Sequence, residues 1–124
     1  MSDYRDDLVD WLFHHYRHDS ALEPGKMMGH PGLRFSVNGK YFVFVYDDGF
    51  ALKLPPELYA AMLERDDVEP FRPGGMDKPM STWVVWSLPE PEEYEAEWDT
   101  IGGSAYRLIA SEPPHSRKQK RAKR

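Results

Sequence analysis

His14 and His18 stand four residues apart in "HHYRHD", the spacing that brings two imidazoles to one side of a helix and lets them ligate zinc. In the metalloprotease helix a glutamate follows the first histidine as general base, and here that position holds His15, so the three are read as ordinary helix residues and no metal is expected. Neutral imidazoles this close would charge together below about pH 6.5. His30, in "MGHPG", is a lone histidine beside a turn, expected to make a local hydrogen bond. Acid–base hydrolysis wants two carboxylates converging across a cleft. Asp47-Asp48, Asp66-Asp67 and Glu92-Glu93 instead fall at predicted turns or helix starts, where a structural role is sufficient. No Gly-x-Ser-x-Gly elbow presents a serine nucleophile, and the absence of cysteine removes thiolates and disulfides together. The glycines of "FRPGGMDKPMSTWVVW" run into an apolar strand, not the helix N-terminus that a phosphate cradle requires. No enzymatic signature and no cofactor are therefore expected.

Charge offers a different chemistry. The net charge of −5 conceals a basic tail, Arg117, Lys118, Lys120, Arg121, Lys123 and Arg124, attached to a body more acidic than the total shows. Such a tail attracts phosphates in a salt-sensitive, sequence-independent way, lies back on its own acidic domain, or stays solvated. No apolar run approaches the ~20 residues that span a bilayer, and the opening "MSDYRDDLVD" is acidic where a signal peptide is basic. A cytoplasmic protein with no membrane partner is expected. With 124 residues and 40 % hydrophobic content, the chain suits one domain, residues 1–112, followed by a basic disordered tail, residues 113–124.

The elements that would position these groups follow from periodicity. Leu8, Trp11, Leu12, His15 and Tyr16 recur at helical spacing behind Asp6 and Asp7, predicting a helix over Tyr4–Arg17. "DSALEPGK" reads as a connector. From Leu33 the period becomes two, with Asn38-Gly39 as a two-residue hairpin turn that puts Phe35 opposite Phe42 and Leu33 opposite Phe44. A three-residue turn, Asp47-Asp48-Gly49, with Gly49 left-handed, then sets Phe44 opposite Leu52. One face of this meander would carry Leu33, Phe35, Val37, Phe42, Phe44, Tyr46, Phe50, Leu52 and Leu54. On the other, Arg34, Val43 and Lys53 would form one row beside Tyr41 and Val45. A face with two cations flanking an apolar residue and an aromatic beside them could stack and neutralise a single nucleic-acid strand, or close against a second copy of the chain.

Pro55-Pro56-Glu57 opens a second predicted helix with Leu58, Ala61 and Met62 as its buried stripe, ending near Arg65. Thr82–Leu88 has apolar residues on both faces and reads as an interior strand. A last helix from Pro91 carries Tyr94, Trp98, Ile101, Ala105, Leu108 and Ile109, and the periodicity continues through Gly102-Gly103.

"KMMGHPGLRFSVNGKYFVFVYDDGFALKLPPE" with "VEPFRPGGMDKPMSTWVVWSLPE" resembles the TfoX N-terminal domain family, and more distantly the MmcQ/YjbR group, over about Lys26 to Ile109. The resemblance implies a two-layer α+β domain, an antiparallel sheet packed by helices in the order α-β-β-β-α-β-α, with an extra short strand near Phe71. The family takes its name from regulators of bacterial DNA-uptake competence, in which this domain is joined to a second one. It supplies no catalytic residues to carry over.

Three functions are open at this point. One is a small non-enzymatic regulatory or interaction domain that binds a protein, itself included. Another is a nucleic-acid binder using the tail and the outer row of Arg34, Tyr41 and Lys53. The third is an enzyme acting on a small ligand, with a cavity near His30, Lys78 and Trp83.

Overall fold

The central apolar segments form a sheet because nearly every one of their side chains can be buried on one face or the other. The structure, a computed structural model, describes residues 4–73, 78 and 80–114. Along the chain lie α1 (Asp6–His15), β1 (Leu22–Met27), β2 (His30–Phe35), β3 (Tyr41–Tyr46), β4 (Gly49–Lys53), α2 (Pro56–Met62), β5 (Val68–Pro70), β6 (Trp83–Trp86) and α3 (Pro91–Ala110). The strands make one six-stranded sheet in the order β1-β2-β3-β4-β6-β5 with every neighbouring pair antiparallel. The fold is α+β. One element is added to the expected order, β1 before the meander, and the extra short strand expected near Phe71 is β5 at the far edge.

β1 occupies the segment expected to be a connector. Pro24 and Gly25 argue for a turn in isolation, yet an edge strand tolerates both. Gly25 leaves the space that the Tyr41 hydroxyl fills, and that hydroxyl donates to the Lys26 carbonyl at 3.1 Å. Met28 and Gly29, at φ 54° and 82°, supply the two left-handed residues that a tight hairpin into β2 requires. Proline in β1, and again at Pro70 in β5, blunts both edges against pairing with another sheet.

The β2–β3 turn corrects the expected register. Phe35 N–H donates to Lys40 O at 3.0 Å, so four residues lie inside the turn that this pair closes, and Val37, expected in the core, is 80 % exposed at the tip. Leu33 faces Val43 while Arg34 faces Tyr41, which leaves Phe42 as an extra, bulged residue. A bulge shifts the alternation beyond it by one. Phe42 and Val43 therefore both join the helix-side core with Val45, whereas Phe44 and Tyr46, expected there, point to the opposite face. The next turn also differs. Tyr46 faces Gly49 across Asp47-Asp48, and Asp47, at φ 50°, is the left-handed residue. Gly49 is needed for another reason, since a Cβ there would overlap the Trp86 carbonyl of β6. Val43 then faces Leu52, and the Arg34–Val43–Lys53 row does not form.

α1 is shorter than expected because Tyr4 bridges to Asp47 and Arg5 spends its guanidinium on the Leu88 and Pro89 carbonyls, at 2.7 Å each. α2 buries Met62, while Ala61 is exposed. α3 starts from a capping box between Glu90 and Glu93 and runs unbroken through Gly102-Gly103. Gly102 lies against the Trp98 ring, closer than a Cβ would allow. Leu8, Leu12, Met62, Tyr94, Trp98, Ile101, Ala105 and Ile109 bring all three helices onto one face of the sheet. No described helix is long and apolar enough to cross a membrane.

Candidate functional site

The face turned away from the helices carries a smaller cluster, Phe44, Ala51, Phe71 and Trp83, fringed by Met27, Tyr41, Tyr46, Met80 and Val85. The segment leaving β5 closes part of it: Phe71 sits 5.5 Å from Phe44 and 4.8 Å from Tyr46, ring to ring, and Met80 N–H donates to the Phe71 carbonyl. This outer face ends in two cavities at opposite ends of the β3–β4 hairpin.

At the end where β3 begins and β4 finishes, a cavity of about 470 Å³ is lined by Met27, Gly39, Lys40, Tyr41, Lys53, Trp83, Ile109 and Glu112. Lys53 and Trp83 are direct cross-strand neighbours, which fixes the ammonium beside the indole. Glu112, just beyond the Ser111 cap of α3, reaches back so that its carboxylate oxygens lie 3.2 Å from Lys40 Nζ and 3.6 Å from Lys53 Nζ. Asn38 holds this corner together. Buried to 5 % exposure, its Nδ2 donates to the carbonyls of Ile109 (2.9 Å) and Glu112 (3.0 Å), and its Oδ1 accepts from Lys40 N–H (2.9 Å). One amide thus serves two carbonyls, one in the last turn of α3 and one just beyond its cap, and ties that end to the β2–β3 turn. Lysines also suit the negative end of the helix dipole.

At the other end, a hollow of about 310 Å³ lies among Tyr46, Asp47, Asp48, Glu69, Phe71, Arg72, Val85 and Ser87. Asp47, Asp48 and Glu69 are all exposed. With Glu112 set against Lys40 and Lys53, and Arg72 against Asp47, Asp48 and Glu69, the outer face keeps a cationic excess where β4 ends and an anionic excess where β3 ends.

Of the residues singled out in the sequence, Tyr41, Lys53 and Trp83 come together at the first cavity. Arg34 lies beside it, its guanidinium 6.0 Å from the Tyr41 ring and its Nε 2.8 Å from Glu23 of β1. Val43 is fully buried among the helix-side residues. His30 and Lys78 do not line this cavity. His30 Nδ1 donates to the Met28 carbonyl at 3.0 Å and its ring lies 4.8 Å from Tyr46. Lys78 is exposed. His14 lies in the last turn of α1, His15 ends it and His18 lies in the turn beyond, all three exposed, with His15 stacked on Trp11 at 4.8 Å. Burial lowers the His15 pKa against the opposing pull of Asp99 and Glu95. Among the described residues no group of three or more histidines and carboxylates could hold a metal ion. Arg117, Lys118, Lys120, Arg121, Lys123 and Arg124 lie outside the described residues.

The remaining strongly shifted groups belong to structural contacts at the helix face. Arg65 bridges Asp67 and Glu97 with four bonds of 2.7–3.0 Å. Burial opposes ionisation of Asp67, but Arg65 and the Trp86 indole N–H outweigh it and lower its pKa; Arg65 likewise lowers Glu97. Burial pushes the phenols of Tyr16 and Tyr94 up to about 12, and Tyr106, donating to Asp19 at 2.7 Å, goes to about 12 as well. Each of these hydroxyls is engaged: Tyr16 accepts from Trp98 Nε1 at 2.8 Å and Tyr94 accepts from Leu88 N–H at 2.7 Å. Every buried side-chain nitrogen or oxygen among the described residues has a hydrogen-bond partner.

Sequence reasoning missed Asn38, Lys40, Met27 and Glu112 as site residues. Asn38 carried a turn signal and nothing more, and Glu112 stands in "SEPPHS", a stretch with no periodicity to place it. The chain matches no protein-family model, no curated protein and no solved structure.

Proposed function

We propose that this chain is a small non-enzymatic interaction domain of TfoX N-terminal type that works in the cytoplasm by contacting another protein molecule, in the first place a second copy of itself, through the outer face of its sheet. The observation that carries this reading is the dipolar outer face. Lys40 and Lys53 with Tyr41 and Trp83 stand at one end of the hairpin, and Asp47, Asp48 and Glu69 at the other. Two copies related by a two-fold axis would set each cationic end against the partner's anionic end, the self-complementary arrangement that an isologous dimer needs. Edge-to-edge pairing is the weaker route, because prolines and charges guard β1 and β5.

Light scattering over a range of concentrations tests it. The expected result is a concentration-dependent rise towards the mass of a dimer, weakened by salt, abolished by Lys53→Glu or Glu69→Lys alone and recovered when the two variants are mixed. A monomer throughout, or variants that associate like the parent, would refute the reading.

Nucleic acid is the second reading, favoured by the guanidinium of Arg34 over Tyr41 and by the basic tail. It expects retention on single-stranded DNA at low salt that disappears when residues 117–124 are deleted. The acidic end of the same face repels phosphates, which is why the protein partner is preferred.

A further inference from the structure

Two ammonium groups converge on the two oxygens of one carboxylate inside a cavity whose walls are aromatic and aliphatic, and that carboxylate belongs to the chain itself. Lys40 contacts one oxygen of Glu112 and Lys53 the other, at 3.2 and 3.6 Å. The three come from three places: the end of the β2–β3 turn, the last residue of β4 and the turn after α3. Tyr41, Trp83, Met27 and Ile109 supply apolar wall around them.

The backbone of Glu112 is held independently of its side chain. Asn38 anchors the Glu112 carbonyl, and the Glu112 N–H donates to Ile109 O at 3.1 Å. The side-chain ion pairs are 20–31 % exposed, so water reaches and screens them. A carboxylate so held can swing out at little cost while its backbone stays in place. The volume of about 470 Å³ lies within the range of small-ligand sites, roughly 300–1,000 Å³, and the mixture of apolar wall with a few convergent polar groups is what such sites share.

We propose that this cavity binds a carboxylic acid carried on an apolar or aromatic body, and that Glu112 is its built-in competitor. The incoming carboxylate takes the place of the Glu112 side chain between Lys40 and Lys53, and its body lies along Trp83 and Tyr41. This goes beyond the association reading and stands without it. The acid is either a free small molecule or the C-terminal carboxylate of a peptide, and both offer the same group.

The test is an amide-shift titration of the full chain with phenylacetate, with phenylacetamide as the uncharged counterpart, and with a short peptide ending in phenylalanine as free acid or amide. Glu112→Gln keeps the shape of the side chain and removes the competitor, so phenylacetate should bind several-fold tighter than to the parent. Lys40→Met and Lys53→Met should each weaken it about tenfold, the loss of one charge-assisted hydrogen bond. Shifts should centre on Gly39, Lys40 and Lys53, and the amides should not bind. Binding of the peptide acid alone identifies a chain end, and binding of phenylacetate identifies a free acid; both support the site. Equal or weaker binding by a folded Glu112→Gln variant, or unaltered binding by both lysine variants, overturns it. All three variants keep the basic tail, so attraction to the tail cannot imitate these opposite signs. Light scattering without added acid reads association separately, so either proposal fails on its own evidence.

Discussion

The two faces of the sheet are made by the same strands and are finished in different ways. On the helix side, α1, α2 and α3 seal the surface with rings that interlock: Trp98 lies 4.9 Å from Trp11, 5.2 Å from Phe50 and 6.1 Å from Trp86, centroid to centroid. On the outer side four buried residues and a loop cover the centre and leave a cavity at each end. Charges on the helix side sit in a closed network around Arg65, whereas on the outer side lysines outnumber the one carboxylate at the first cavity and carboxylates outnumber the one arginine at the second. The helix side is sealed by packing, and the outer side is the one left partly open.

Substitution sharpens that contrast. Trp98→Ala should cost about 3–5 kcal/mol in denaturant unfolding, because a fully enclosed indole leaves a void that its neighbours cannot fill. Tyr41→Ala, on the outer side, should cost only about 1 kcal/mol, the worth of its hydrogen bond to Lys26 O, while weakening association. Equal losses would erase the distinction between a sealed face and a contact face.

Adjacent glycines in α3 give opposite signs. At Gly102 a Cβ would press into the Trp98 ring, so Gly102→Ala should destabilise by about 1–3 kcal/mol despite the better helix propensity of alanine. At Gly103 the nearest group is the flexible end of Arg107 at 3.2 Å, so Gly103→Ala should stabilise by up to about 1 kcal/mol. A stabilising Gly102→Ala would mean that α3 packs less closely than described.

Acid probes the helix-side charges. Asp67 and Glu97 have pKa values below their usual 3.8 and 4.5 in the folded chain. The unfolded chain therefore takes up these protons first as pH falls, and the stability they contribute is present above about pH 4.5 and lost below it. Melting temperature of the Asp67→Asn/Glu97→Gln variant should be lower at neutral pH and fall less steeply in acid. His15 gives the smallest effect. Its folded pKa lies below the usual 6.5, so stability should slip as pH falls through that value, and His15→Gln should remove the slip.

Much of the helix side could be read in the sequence because helical spacing states which residues share a stripe: Leu8 and Leu12, and Tyr94, Trp98, Ile101, Ala105 and Ile109 are all buried as expected. β6 was legible for the same kind of reason, with apolar residues on both faces. β3 was not. "YFVFVY" is apolar or aromatic at every position, so alternation cannot say which set faces the helices, and the bulge at Phe42 decides it. β1 was hidden by Pro24 and Gly25, whose local preference for a turn is overridden by pairing along a whole neighbouring strand. In the candidate site, Tyr41 and Lys53 were visible as outer-face residues of the predicted meander, and Trp83 as a strand residue expected beside a cavity. Glu112 was not, since its partners lie far away in sequence and are brought to it by the length and direction of α3.

The bulge is what sends Phe44 and Tyr46 to join Tyr41 on the outer face and Val43 and Val45 to the helices, so it underlies the outer face and its cavities. Nuclear Overhauser contacts from the Phe44 ring test it most directly. The account expects cross-peaks from Phe44 to Phe71 and Trp83, with the methyls of Val43 and Val45 among the helix-side residues; cross-peaks from Phe44 to Tyr94, Trp98 or Ile101 of α3 would contradict it.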